Sequence, residues 1–88
     1  MPQDIYSLHD IPNGKSLRIS EVNISLPVKR RLEELGFTAG EVVDKLCSGA
    51  GGNPVAVRVS GAVIAVRSSD AKGILGCEAP AKGGDLYY

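Results

Sequence analysis

The 88 residues make one domain, and ten basic and ten acidic side chains cancel to a formal net charge of zero. A non-specific nucleic-acid binder needs a positive field to displace counterions, so this balance argues against that class. With 43% apolar residues and no Trp, nearly every Val, Ile and Leu must be buried to order so short a chain, leaving little room for an internal ligand cavity.

In chain order, Ser7-Leu8-His9-Asp10-Ile11 is too short for a full helix. Ser7 is placed to cap a single turn, and Pro12-Asn13-Gly14 reads as a tight turn. Lys15 to Ile24 alternates as a strand, with Leu17, Ile19, Val22 and Ile24 apolar. Its phase slips by one residue between Ile19 and Val22, the mark of a bulge. Leu26 to Leu35 is the one convincing helix. Ser25 supplies a capping oxygen, Pro27 is tolerated in the first turn, and Val28, Leu32 and Leu35 make an apolar stripe. Gly36 is the natural left-handed terminator, after which Phe37 folds back on Leu32.

Three strands follow the Thr38-Ala39-Gly40 turn. Val42 to Cys47 is the first. The glycine-rich tip Gly49 to Asn53 leads to the second, Pro54 to Val59, with Val55, Val57 and Val59 on one face. Ser60-Gly61 makes a tight hairpin to the third, Ala62 to Val66, which is apolar on both faces and is expected to be central. Ser68-Ser69-Asp70 starts a helical turn that ends by Gly73, and Ile74 to Glu78 is the closing strand. Residues 79–88, with Pro80 and Gly83-Gly84, are expected to form a flexible tail on a domain of residues 1–78. About five short strands, one helix between the first two and a helical turn before the last describe a mainly β, SH3-like, partly open β-barrel. A sandwich usually needs about 100 residues.

Asp4, His9 and Asp10 interrupt the apolar residues at the start, so no signal-peptide core is expected. No apolar run approaches the roughly 20 residues that span a bilayer. The expectation is a cytoplasmic protein, not membrane-inserted, with Cys47 and Cys77 as free thiols.

The stretch Leu26-Pro27-Val28-Lys29-Arg30-Arg31-Leu32-Glu33-Glu34-Leu35-Gly36-Phe37-Thr38-Ala39-Gly40-Glu41-Val42-Val43 resembles the FeoA family. Ser7-Leu8 with Pro12 and Gly14 upstream, and Gly52-Asn53-Pro54 to Gly61 downstream, resemble it too, so the likeness covers residues 6 to 78. The resemblance implies an SH3-like barrel that acts as a cytosolic accessory to FeoB, the membrane ferrous-iron transporter with a GTPase domain. It also implies kinship with the C-terminal domain of iron-dependent repressors, and hence, as an alternative, an Fe(II)-responsive regulatory domain acting through protein contacts.

Read residue by residue, the chain offers no catalytic set and no metal-ligand spacing. Cys47, Cys77 and His9 stand far apart in sequence, the cysteines read as small buried hydrophobes, and His9 reads as exposed. Only weak transition-metal binding by surface carboxylates is left, with no cofactor. The glycine loop does not open a helix through Gly-Lys-Ser, so it is no phosphate cradle. Lys29 and Arg30 are spaced to pair weakly with Glu33 and Glu34. Against that solvated face stands a docking surface of Leu26, Pro27, Arg30, Arg31 and Glu34 with Phe37 at its edge, since arginine beside an aromatic anchors many interfaces. Scattered aromatics argue against proline-rich peptide recognition. The zero net charge and open strand edges allow a weak homodimer, expected through the glycine-loop hairpin.

Overall fold

The computed structural model of the protein describes residues 4–80. In chain order its elements are β1 (Tyr6–Ser7), β2 (Ser16–Val22), α1 (Leu26–Leu35), β3 (Val42–Ser48), a 3-10 turn (Ala50–Gly52), β4 (Val55–Val59), β5 (Ala62–Val66), α2 (Ser68–Ala71) and β6 (Ile74–Ala79). The strands form one antiparallel sheet in the order β1-β6-β2-β3-β4-β5. Buried side chains from β6 near one end and from β4 and β5 at the other meet in a single cluster around Phe37, Leu17, Ile19 and Val43. A flat sheet could not bring its ends together, so this one curls round its core as a partly open barrel.

β2 shows why the curl is possible. Leu17, Ile19 and Val22 are buried, and its pairing with β6 shifts between Ile19 and Glu21. The bulge falls at the phase slip seen in the sequence, and the extra residue bends the strand. Gly76 of β6 lies so close to β2 that an added Cβ would run into the Arg18 carbonyl. This glycine answers a close backbone approach rather than an unusual dihedral.

α1 runs over the predicted span, but Ser25 makes no side-chain capping bond; its backbone carbonyl accepts the Lys29 N–H at 2.9 Å instead. Gly36 is left-handed (φ 113°), and the Phe37 N–H returns to the Leu32 carbonyl at 2.9 Å. A Cβ on Gly36 would also strike the Ser60 hydroxyl, which packs the helix end onto the β4–β5 hairpin. In that hairpin both Ser60 (φ 50°) and Gly61 (φ 81°) are left-handed, the arrangement that matches the right-handed twist of the flanking strands.

Two expectations are corrected. There are six strands rather than about five, because Tyr6–Ser7 pairs with Gly76 and Leu75 before the predicted single turn begins. That turn forms as expected, with the Ser7 Oγ accepting the Asp10 N–H at 3.0 Å. β5 is an edge strand rather than a central one, and Val63 is 64% exposed. Its apolar outer face is open rather than covered. β6 extends to Ala79; the predicted tail beyond residue 80 lies outside the described residues.

Gly76→Ala is expected to destabilise the fold by about 3 kcal/mol or more, because the new methyl meets backbone rather than a side chain that can move aside. Gly40→Ala has open space around its Cβ and suffers only the left-handed backbone penalty of about 1 kcal/mol. Urea denaturation of the two variants checks the order.

Candidate functional site

α1 turns most of its surface outward. Leu26 is 62% and Leu35 41% exposed, and Pro27, Arg30, Arg31 and Glu34 lie on the surface with them. Of the helix only Leu32 is fully buried, with Val28 half-buried against the core. The predicted docking residues therefore share an exposed helix, with one correction. Phe37 is completely buried, because the left-handed turn at Gly36 sends it back under Leu32 and into the core. Leu35 is the apolar surface residue that its place on the predicted stripe concealed.

A groove of about 170 Å³ runs between α1 and β5, lined by Val28, Arg31 and Leu35 on the helix side and Ile64, Ala65 and Arg67 on the other. That volume is below the range of small-molecule pockets, roughly 300–1,000 Å³, and suits an anchoring side chain instead. Arg30, Arg31 and Arg67 have no ion-pair partner among the described residues. The expected Lys29–Glu33 and Arg30–Glu34 pairs do not form. Exposed i, i+4 pairs of that polarity gain too little to hold two long side chains in place.

The second polar feature is buried and was not foreseen. Lys45 is 4% exposed, and its ammonium donates to the carbonyls of His9 and Ile11, each at 2.7 Å. Beside it Asp44 accepts the Ser16 hydroxyl at 2.6 Å and lies 3.6 Å from the Arg58 guanidinium. The signal was present in Val42-Val43-Asp44-Lys45-Leu46: an acid and a base in mid-strand are buried only when partnered. Burial pushes the Lys45 ammonium below its usual value, with Asp10 pulling weakly the other way. Asp10 itself is held below the ordinary carboxylate range, chiefly by its hydrogen bond with His9 at 3.2 Å.

The register shift between Lys45 and Cys47 also explains why the cysteine expectation fails. Strict alternation would put Cys47 on the same side as Lys45. The bulge turns it outward, so Cys47 is exposed; Cys77, on β6, is half-buried, and both are free thiols. His9 is 27% exposed rather than fully open to solvent. Among the described residues no three of His, Cys, Asp and Glu gather into a metal-ligand set.

The sequence model of the FeoA domain matches residues 6–76. The chain belongs to the FeoA family. The FeoA protein of Chlorobium tepidum is 25% identical, with a TM-score of 0.77 over 93% of this chain and 79% of that one. FeoA of Stenotrophomonas maltophilia, solved with zinc and described as a prokaryotic SH3 domain protein suggested to activate ferrous iron transport, is 35% identical (TM-score 0.69, 77% of this chain and 85% of that one). The repressor IdeR of T. acidophilum shares the fold at 18% identity and a TM-score of 0.76, over 90% of this FeoA-family chain but only 36% of the repressor. No curated protein matches by sequence. The SH3-like, mainly β architecture expected from the sequence is thereby that of the family.

Lys45→Met would leave the His9 and Ile11 carbonyls without their donor and is expected to destabilise the domain by about 1–3 kcal/mol at neutral pH. Because the folded state holds Lys45 below the unfolded value of 10.5, the unfolded chain binds more protons in the alkaline range beneath that value. The contribution of Lys45 to stability therefore rises as pH climbs towards 10.5. Denaturation of wild type and variant from pH 7 to about 10.5 checks the sign: the gap between them widens with pH.

Proposed function

We propose that this FeoA-family protein is a non-enzymatic accessory of ferrous iron uptake that docks on the cytosolic part of the FeoB transporter and modulates its transport or GTPase cycle. The observation that carries the reading is the outward face of α1, where Leu26 and Leu35 stand exposed beside Arg30 and Arg31, which have no ion-pair partner among the described residues. Exposed leucines cost nothing singly, but leucines flanked by guanidiniums on a rigid element have the make-up of an interface anchor. The membership in the FeoA family and the suggested role of the Stenotrophomonas maltophilia protein support the same reading.

None of the helices in the described residues is long and apolar enough to cross a membrane, and the reading places contact with the transporter at its cytosolic surface. Iron is the transporter's cargo in this reading, which assigns no step to a metal held by this chain. An arginine supplied in trans speeds GTP hydrolysis in some GTPases, which makes Arg30 and Arg31 the residues to follow if GTP turnover changes on binding.

Titration calorimetry against the GTPase domain of the same organism's FeoB, with and without a GTP analogue, is expected to give saturable binding. The Arg30→Ala/Arg31→Ala pair is expected to weaken it about tenfold or more, on the scale of 1–2 kcal/mol for an interface anchor. Failure of wild type to bind a folded transporter domain in either nucleotide state would overturn the docking reading for that domain.

A further inference from the structure

Four consecutive residues, Ile64, Ala65, Val66 and Arg67, line the groove beside α1. Side chains alternate between the faces of a strand, so a groove lined by consecutive residues looks onto the strand's edge, not onto one of its faces. β5 ends the sheet and pairs only with β4. The hairpin at Ser60-Gly61 makes Val59 and Ala62 a hydrogen-bonded pair, and alternation gives the same to Val57–Ile64 and Val55–Val66. Val63 and Ala65 therefore direct their amides and carbonyls away from β4, to the open side.

That edge is undefended. Natural edges are guarded by lysine, proline, a bulge, extreme shortness or a covering helix, whereas Ala62-Val63-Ile64-Ala65-Val66 has no charge and no proline, its pairing with β4 is unbroken, and α1 leaves a groove along it. The opposite edge of the sheet, β1, is only two residues long. The charges around the groove are unequal as well: Arg31 and Arg67 line it against Asp70 alone, and neither arginine has an ion-pair partner among the described residues.

We propose that β5 and the α1 groove bind an extended partner segment of alternating acidic and apolar residues, which adds to the sheet as an antiparallel or parallel strand. This deepens the docking reading above and rests on it for the partner's identity. The main-chain groups of Val63 and Ala65 supply the backbone bonds. The apolar floor of Val28, Leu35 and Ile64 takes one anchoring apolar side chain of the segment, and Arg31 and Arg67 take the carboxylates on either side of it. The positive groove favours an acidic segment over a second copy of this chain, whose own β5 carries no charge to meet it. Arg31 belongs to both surfaces, so one bound segment spans the helix and the strand edge.

The test uses two probes on the full chain. The first is the cytosolic FeoB domain, and the second an acetylated, amidated synthetic peptide of alternating Glu and Val, with a Lys-Val peptide as control. Ala65→Pro removes an amide that the β4 ladder does not use, a substitution edge strands tolerate, and a thermal melt confirms that the variant folds. Arg31→Glu/Arg67→Glu reverses the charge without touching the backbone. Binding of the transporter domain is expected to fall about tenfold in each, and amide exchange at Val63 and Ala65 is expected to slow in both wild-type complexes. The Glu-Val peptide is expected to bind and the Lys-Val peptide not. If the transporter domain binds Ala65→Pro as it binds wild type, the strand-addition proposal is overturned while the docking reading stands. If only the Glu-Val peptide binds and protects those amides, the edge proposal stands and the transporter reading fails. Protection at Val63 and Ala65 that grows with protein concentration and no probe would show a second copy on the edge and overturn the acidic-segment assignment. Binding of neither probe would overturn both.

Discussion

The Lys45 ammonium, buried beneath the turn of residues 8–11 and bonded to the carbonyls of His9 and Ile11, determines where the first part of the chain goes. That turn carries Leu8 and Ile11, both buried, over one end of the core. Its inward carbonyls have no strand to bond, and without a donor they would be left dry and unpaired. The backbone is stitched at the same point, since the Lys45 N–H donates to the Lys15 carbonyl and the Lys45 carbonyl accepts the Gly14 N–H. A flexible four-carbon stem reaching two carbonyls does what a further strand would otherwise do, and the barrel closes with fewer residues.

The same economy shows at the other end of the molecule. α1 has ten residues and buries only one of its side chains fully, so its packing holds it less firmly than an ordinary amphipathic helix is held. Its stability leans on its ends: the Gly36 turn, the return of Phe37 to Leu32, and the seating of Gly36 against Ser60. The leucines and arginines left outside do not maintain the helix, and they are available for contact. β5 stands in a similar position, held on one side by β4 and open on the other.

Much of this was legible in the residues. The span of α1, its glycine stop, the Ser60-Gly61 hairpin, the bulge in β2 and the turn capped by Ser7 all follow from local chemistry, because each is decided by neighbours in sequence. What escaped was decided by neighbours in space. The position of β5 in the sheet depends on which strand finds which, and an apolar outer face looks the same in sequence whether it is covered or open. The second bulge, between Lys45 and Cys47, leaves little trace in sequence because both faces of β3 carry mixed residues, so Cys47 lies on the opposite side from the one expected and the burial of Lys45 goes unannounced. Of the candidate surface, the five exposed helix residues were visible and Phe37 was misplaced. Leu35, Arg67 and the groove required the tertiary arrangement.

The contact between Gly36 and Ser60 bears on how the chain is free to drift. Position 36 admits no side chain for two unrelated reasons, its left-handed backbone and the hydroxyl that occupies the space where a Cβ would go. Relieving one leaves the other in force, so a smaller residue at 60 does not open 36 to change. Position 60 is constrained in turn by its own left-handed backbone and by the helix end above it. Two sites 24 residues apart thus share one contact but not one constraint: a change at the hairpin tip leaves the demand for glycine at the helix terminus in force.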